Sequence, residues 1–396
     1  MTKLPAGYRK LWWANGIDNV GNGAFVTAMP LLAVTVTRDP RLVSLVAAAE
    51  YVPWLLLSLP AGAWADRHDR VRLMTRAQLA QAAVAGAVAL LVAGHQATIA
   101  LLVLTAVALG AGDVVFGTAA QAFLPEVVPK PLLPHANGSL QVVKTVGVQF
   151  AGPPLGSALF ALAAALPFGL DAVSFAASAA LVAKLPRRTH QATRKAPVAE
   201  GLRWLAHHRL LRTLAILLGV NTFCGQLATA TLVLLATQTL HVSPGGYGVL
   251  LAAAAVGSVA GGLVNARIVA KIGPLSALVT SLAANAAIFA AIGLSPHAAV
   301  LGVFLALNGF VTTLWNVVTV SLRQALVPAP LLGRVTSVYK LLGWGLIPLG
   351  TLTGGFLAAA FGLRVPYPVA GAVRGLALLA ALPVLVRNRP RYHRPS

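Results

Sequence analysis

Asp18, Glu50 and Asp113 each lie inside a run of apolar residues long enough to cross a bilayer. On insertion scales a charged side chain at the centre of a spanning helix costs at least ~2.5–3.5 kcal/mol, so such a residue is read as functional. Protonation removes the charge and most of that cost. A carboxyl embedded in a membrane can therefore take up a proton on one side and give it up on the other. Glu50 stands eight residues into its apolar run, ~12 Å along a helix at 1.5 Å per residue, which places it nearest the midplane. Asp18 and Asp113 stand closer to the end of the bundle that carries the termini. These three are the candidate proton-coupling residues, with Glu50 first and Asp18 second. Asp171 opens its own apolar run, where an acid reads as a partner of the helix dipole. None of the nine acids follows Glu200, so coupling through carboxylates must run through the first half of the chain.

A second charged group interrupts the apolar pattern. The stretch "AGAWADRHDRVR" (61–72) places Asp66, Arg67, Asp69, Arg70 and Arg72 directly after about twenty apolar residues. At the lipid–water boundary an ion pair is partly desolvated and stronger than on an open surface. Arginines alone would serve to fix topology, but topology needs no Asp66, so the acid asks for a further role. Asp113 pairing with Arg70 is an alternative reading of the same charges.

Polar stripes mark the faces that avoid lipid. Asn15, Asp18, Asn19 and Asn22 follow i, i+3, i+4, i+7 and share one helix face. Asn308, Thr312, Asn316, Thr319 and Arg323 share another. Asn221 and Gln226 lie in a third run, and Trp54 is one turn from Glu50. Such stripes either bond helices together or line water.

The elements that position these residues follow from composition. The chain is 58% hydrophobic and only 10% charged over 396 residues, against roughly 25% charged in soluble domains. Lipid is its solvent. Twelve apolar segments fit the ~20 residues of a spanning helix: 11–36, 42–65, 73–94, 97–123, 137–163, 166–184, 210–237, 245–270, 274–294, 297–322, 336–361 and 367–386. They are referred to as spans 1 to 12. With no short apolar run ending in a small-residue cleavage site, no signal peptide is expected. The net charge of +21 is spread through short gaps between spans rather than gathered on one soluble face, which argues against nucleic acid. Twelve spans put both termini on one side. That side takes 26 of the 30 Lys and Arg, leaving Arg38, Arg41, Arg364 and Arg374 opposite; by the positive-inside rule both termini are cytoplasmic. The longest gap, 185–209, is basic and ends in "VAEGLRWLAHHR", read as an amphipathic helix on anionic lipid at the cytoplasmic face. It separates a six-helix bundle, 1–184, from another, 210–396. "PKPLL" (129–133) and "PAPLL" (328–332) fall in corresponding gaps, and "PLG" recurs at 154–156 and 348–350. Six helices per copy make a parallel repeat about an axis along the membrane normal. The fold expected is thus all-α and integral to the membrane. The single cysteine, Cys224, allows no intrachain disulfide and no metal-ligand spacing; no metal and no cofactor are expected.

Two six-helix halves, a basic central loop and the charged stretch together resemble the major facilitator superfamily. The superfamily's loop 2–3 motif is matched by Gly62, Asp66, Arg67, Arg70 and Arg72; Asp69 replaces its second Gly and Val71 one basic residue. "VGVQFAGPPLGS" in span 5 resembles the superfamily's antiporter motif through Gly152, Pro153 and Gly156, with Ser157 departing from the final Gly and Gly147 one position off. "LVPAPLLGRVTSVYKLLGWG" resembles the enterobactin-exporter and macrolide-efflux branch. The resemblance implies that the loop 2–3 charges clamp the cytoplasmic ends of the two halves. It also implies that spans 1, 4, 7 and 10 are central, making Asn15, Asn19, Asn22, Trp54, Gln226, Asn308, Asn316 and Arg323 candidate cavity residues.

The function expected is proton-coupled export of an amphiphilic small molecule of the drug or siderophore class by a monomer. Its partners would be that substrate, protons and membrane lipid. An uptake symporter or facilitator on the same fold is the alternative. "GAGD" (110–113) also matches the Gly-x-Gly-Asp of intramembrane aspartyl proteases, but the Tyr-Asp pair and Pro-Ala-Leu of those enzymes are absent, so an enzyme is not expected. Nor is an ATP-driven pump, because no Gly-rich phosphate loop appears.

Overall fold

A computed structural model describes residues 5–186 and 198–388. Among them every regular element is helical, as a backbone in lipid requires, since each N–H and C=O must be bonded within its own segment. Residues 187–197 of the basic gap, and the N- and C-terminal residues bearing part of the basic excess, lie outside the described residues.

Span 1 is α1, Ala6–Val36. Span 2, expected as one helix, is two: α2, Pro40–Ala49, and α3, Val52–Arg67. Pro53 explains the break. A proline offers no N–H to the carbonyl four residues back, and its ring crowds the preceding turn. Glu50 therefore sits at an interruption and not inside a continuous helix. Spans 3 and 4 are α4, Arg70–Ala93, and α5, Ile99–Val127. Span 5 is α6, Leu133–Thr145, and α7, Gly152–Leu162, joined by a π-helical stretch at Val146–Ala151. Span 6 is α8, Leu166–Ala183. Asp171 is the sixth residue of α8 and fully buried, beyond the first turn in which a dipole partner would sit.

The basic gap ends in α9, Val198–His207. Span 7 is α10, Arg209–Thr229, followed by the single turn α11, Leu232–Leu234, and a π-helical turn at Leu235–Thr239. Then come α12, Pro244–Ile272; α13, Pro274–Gly293; and α14, Ala298–Leu326. Span 11 divides at Leu346 into α15, Ala329–Gly345, and α16, Ile347–Phe361. Span 12 is α17, Pro366–Asn388. Arg374 lies within α17, not in a gap, so it leaves the count of loop charges. Among the described residues eleven helical stretches are long and apolar enough to cross a membrane; span 5, in its two pieces, is the twelfth. The repeated "PLG" follows a helix interruption in both copies.

The chain divides into two contact units. The first holds α1, α2 from Leu45, α3 to α8, and α12 through Ala252. In it α8 packs on both α1 and α4, α5 on α3 and α4, and α7 on α1. Its apolar core includes Leu11, Met74, Phe116, Phe123 and Val182. The second holds residues 39–44, α9 to α11, α12 from Ala253, and α13 to α17. There α17 packs on α10 and α13, around Leu211, Leu214, Leu278, Trp315 and Leu385. α9 is docked on α15: Leu205 is buried, and a Cβ on Gly201 would stand 2.6 Å from Arg334 Cβ. Leu202 on its outer face is exposed.

Candidate functional site

The first unit gathers its membrane carboxyls around two glutamines of α4. Gln78 Nε2 donates to Asp18 Oδ1 at 3.1 Å. One turn on, Gln81 Nε2 donates to Asp113 Oδ1 at 2.8 Å and to the Leu109 carbonyl at 3.1 Å. Gln78 and Gln81 are buried, so their bonds form away from water. Asn22 also bonds Asp113. Glu50, at the α2–α3 break, lies within electrostatic reach of Asp113. Asp171, bonded by Ser174 Oγ at 3.3 Å, lies within reach of Asp18, Asp113 and Glu50. Lys144 on α6 brings positive charge toward both Asp18 and Asp113. The amide oxygens of Gln78 and Gln81, and Asp171 Oδ2, accept no bond among the described residues.

The small residues of "GAGD" make room for this cluster. A Cβ on Gly110 would fall 2.2 Å from the Glu50 carbonyl, so α5 rests directly on the break in span 2. A Cβ on Gly112 would fall 2.3 Å from Gln81 Cδ. The antiporter-like residues do similar packing work. Gly152 meets the backbone of Gly23, Gly156 meets that of Ala24, and Pro153 is buried beside them.

Asp69 Oδ1 caps α4 by accepting from Arg72 N at 2.7 Å, a task the glycine of the superfamily motif could not perform with a side chain. Arg70 is buried. Its Nε donates to the Ala65 carbonyl at 3.0 Å and its Nη1 to the Ala122 carbonyl at 2.8 Å and to the Glu126 carboxylate. Asp66 stands 3.8 Å from Arg70 Nη2. The alternative partner considered for Arg70, Asp113, is held by Gln81 instead. Gly62 is buried within α3, and Arg67 and Arg72 are exposed.

The motif cluster and the helix order agree with what the whole chain matches. A family model described as transmembrane secretion effector matches residues 5–392. The chain belongs to that family. As a transmembrane secretion effector of the major facilitator superfamily it is a transporter and not an enzyme, with the superfamily's twelve helices in two halves. The multidrug efflux pump Tap of Mycobacterium tuberculosis (strain ATCC 25618 / H37Rv) is 28% identical over 363 residues, 88% of this chain and 86% of the pump. The pump of the same name from Mycolicibacterium fortuitum is 28% identical over 366 residues, 88% of each. Among solved structures, a bacterial homologue of the iron transporter ferroportin superposes with a TM-score of 0.74 at 17% identity, covering 96% of this chain and 98% of that one. A bacterial homologue of the human lysosomal transporter Spinster gives 0.73 at 16%, covering 98% of each. At these identities the structures speak for the fold.

In this transmembrane secretion effector the cavity candidates have varied surroundings. Asn15 and Asn19 donate back along α1, to the Leu11 carbonyl at 2.8 Å and the Asn15 carbonyl at 2.6 Å. Trp54 is half-buried on α3, with its ring 4.0 Å from where a Cβ on Gly117 would stand. Asn308 accepts from Asn285 Nδ2 of α13 at 3.0 Å, and Thr312 Oγ1 accepts from the same group at 3.3 Å. That end of the α14 stripe joins two helices. Further along, Asn316 is exposed, while the Thr319 hydroxyl bonds the Trp315 carbonyl at 2.8 Å. The Arg323 guanidinium stacks on the Tyr339 ring at 4.7 Å. Gln226 is half-buried on α10.

The residues that the sequence left unmarked are Gln78, Gln81 and Glu126; Asp171 was misread, and Arg374 was counted with the loop charges. Gln78 and Gln81 had a readable signal: two amides three residues apart in the apolar span "RAQLAQAAVAG". Arg374 had one too, as the lone charge in the middle of "VAGAVRGLALL".

Proposed function

We propose that the chain is a proton-coupled exporter of amphiphilic small molecules of the drug or siderophore class, working by alternating access with both termini in the cytoplasm. The observation that carries this reading is the set of four carboxyls, Asp18, Glu50, Asp113 and Asp171, in one unit around Gln78 and Gln81. An amide serves either protonation state: its N–H₂ donates to a carboxylate, and its oxygen accepts from a carboxylic acid. The unmatched oxygens of Gln78 and Gln81 are the acceptors a protonated cluster needs. Glu50 is the primary coupling residue, because a break near the midplane is where a site is reached from either side in turn. Asp66, Arg70 and Glu126 form the gate. The names of the 28%-identical relatives support export and a drug-like substrate.

Everted membrane vesicles test this reading. Uptake of a panel of antibiotics, siderophores and dyes is measured with a proton gradient and after its collapse by an uncoupler. At least one amphiphilic compound accumulates only with the gradient, and Glu50→Gln abolishes that accumulation. Accumulation that ignores the uncoupler in every case refutes proton coupling.

A further inference from the structure

The second unit has the opposite electrostatic problem. No Asp or Glu follows Glu200, so α10 to α17 contain no acid. Yet Arg374 stands eight residues into α17, ~12 Å along the helix, and is 6% exposed. A guanidinium does not discharge in a protein, so it carries its charge into this interior. Its surroundings answer the charge only in part. Nη2 donates to the Asn221 carbonyl of α10 at 2.7 Å. The group lies over the Phe289 ring of α13, 3.9 Å from its centroid, and the Cys224 thiol lies against it. Nε and Nη1 have no hydrogen-bond partner among the described residues. A carbonyl and a ring face supply partial negative charge; none of these neighbours is an anion. A buried cation with idle donors and no counter-ion is a costly feature to keep in a membrane.

Gly225 of α10 keeps a side chain off Nη2, the nitrogen that bonds Asn221: a Cβ there would stand 3.1 Å away. We propose that Arg374 is an anion-recognition site in the second unit, taking one compact monovalent anionic group against its idle donors. That group is either an inorganic halide or the carboxylate of an organic substrate. The inference is independent of which residue couples protons, and it survives if Glu50 proves idle.

Melting temperatures of the purified wild-type protein are taken in sodium chloride, sodium benzoate and sodium gluconate at equal ionic strength. Chloride or benzoate raises the melting temperature, and gluconate does not. A response to chloride identifies a halide site, and a response to benzoate alone identifies the substrate's carboxylate. Arg374→Gln abolishes the anion response, while Arg374→Lys keeps it in weakened form. A wild-type melting temperature equal in all three salts overturns the proposal. So does an anion response that persists in Arg374→Gln.

Discussion

Glu126→Gln is the perturbation whose size the structure best defines. The Arg70 and Glu126 side chains are 6% and 13% exposed, so the pair is shielded from water. Removing one partner of a buried pair typically costs about 3–5 kcal/mol, because the other charge is left stranded. Two features reduce that here. Asp66 remains 3.8 Å from Nη2, and glutamine keeps a carbonyl oxygen where the carboxylate stood. About half the loss is therefore expected, about 2 kcal/mol. For a unit of this size that lowers the melting temperature by roughly 4–8 °C. The assay is a double-mutant cycle with Arg70→Met, every protein heated in the same detergent at the same rate. Either single change strands one member of the pair, and the double change strands neither. The double variant should thus recover about 2 kcal/mol relative to the sum of the two singles. If Glu126→Gln melts with the wild type, or if the two losses simply add, the ion pair does not hold the α3–α4 turn to α5.

Asp66→Asn should leave insertion and substrate binding intact while turnover falls, read by binding and transport on the same reconstituted sample; wild-type turnover would remove Asp66 from the gate. Gly110→Ala drives a methyl into the Glu50 carbonyl, so a loss of about 1–3 kcal/mol is expected from overpacking, visible as a lower melting temperature and weaker transport, and unchanged values would show that the break can give way. In a Cys224→Ser background, a cysteine at Asn316 should react with a water-soluble thiol reagent and be protected by substrate, while one at Asn308, bonded to Asn285, should stay inert; reaction at Asn308 and silence at Asn316 would reverse the assignment of the stripe.

Much of this was legible in the sequence, and for identifiable reasons. Spans are set by length and hydropathy, which are local, so most span boundaries could be read within a few residues; the helix of span 11 begins earlier than the expected 336, at Ala329. The acids could be found because a charge in an apolar run stands out. What could not be read was how the spans break. Pro53 lies in a run whose composition favours a continuous helix, and only the clash with the preceding turn shows that Glu50 sits at an interruption. The partners were hidden for another reason. Glu126 lies 56 residues from Arg70, and Gln78 lies 60 from Asp18; helix packing makes these pairs, and no spacing rule along one helix reaches them. Asp69 shows the limit of motif matching. It departs from the superfamily's glycine, yet it serves the local structure as the α4 cap. Arg374 was misplaced because counting charges per gap assigns every basic residue to a loop, including one buried within a helix.

The central claim is that the carboxyls of the first unit carry protons in exchange for substrate. Its most direct test is proton movement itself. The protein is reconstituted into liposomes holding a pH-sensitive dye, with no pre-formed gradient, and the compound accumulated in the everted-vesicle screen is added on one side. Wild type should move protons against the substrate flow, and Glu50→Gln should carry substrate down its own gradient with no pH change. Substrate flux without proton movement in the wild type, or normal proton movement in Glu50→Gln together with Asp18→Asn, would contradict the account.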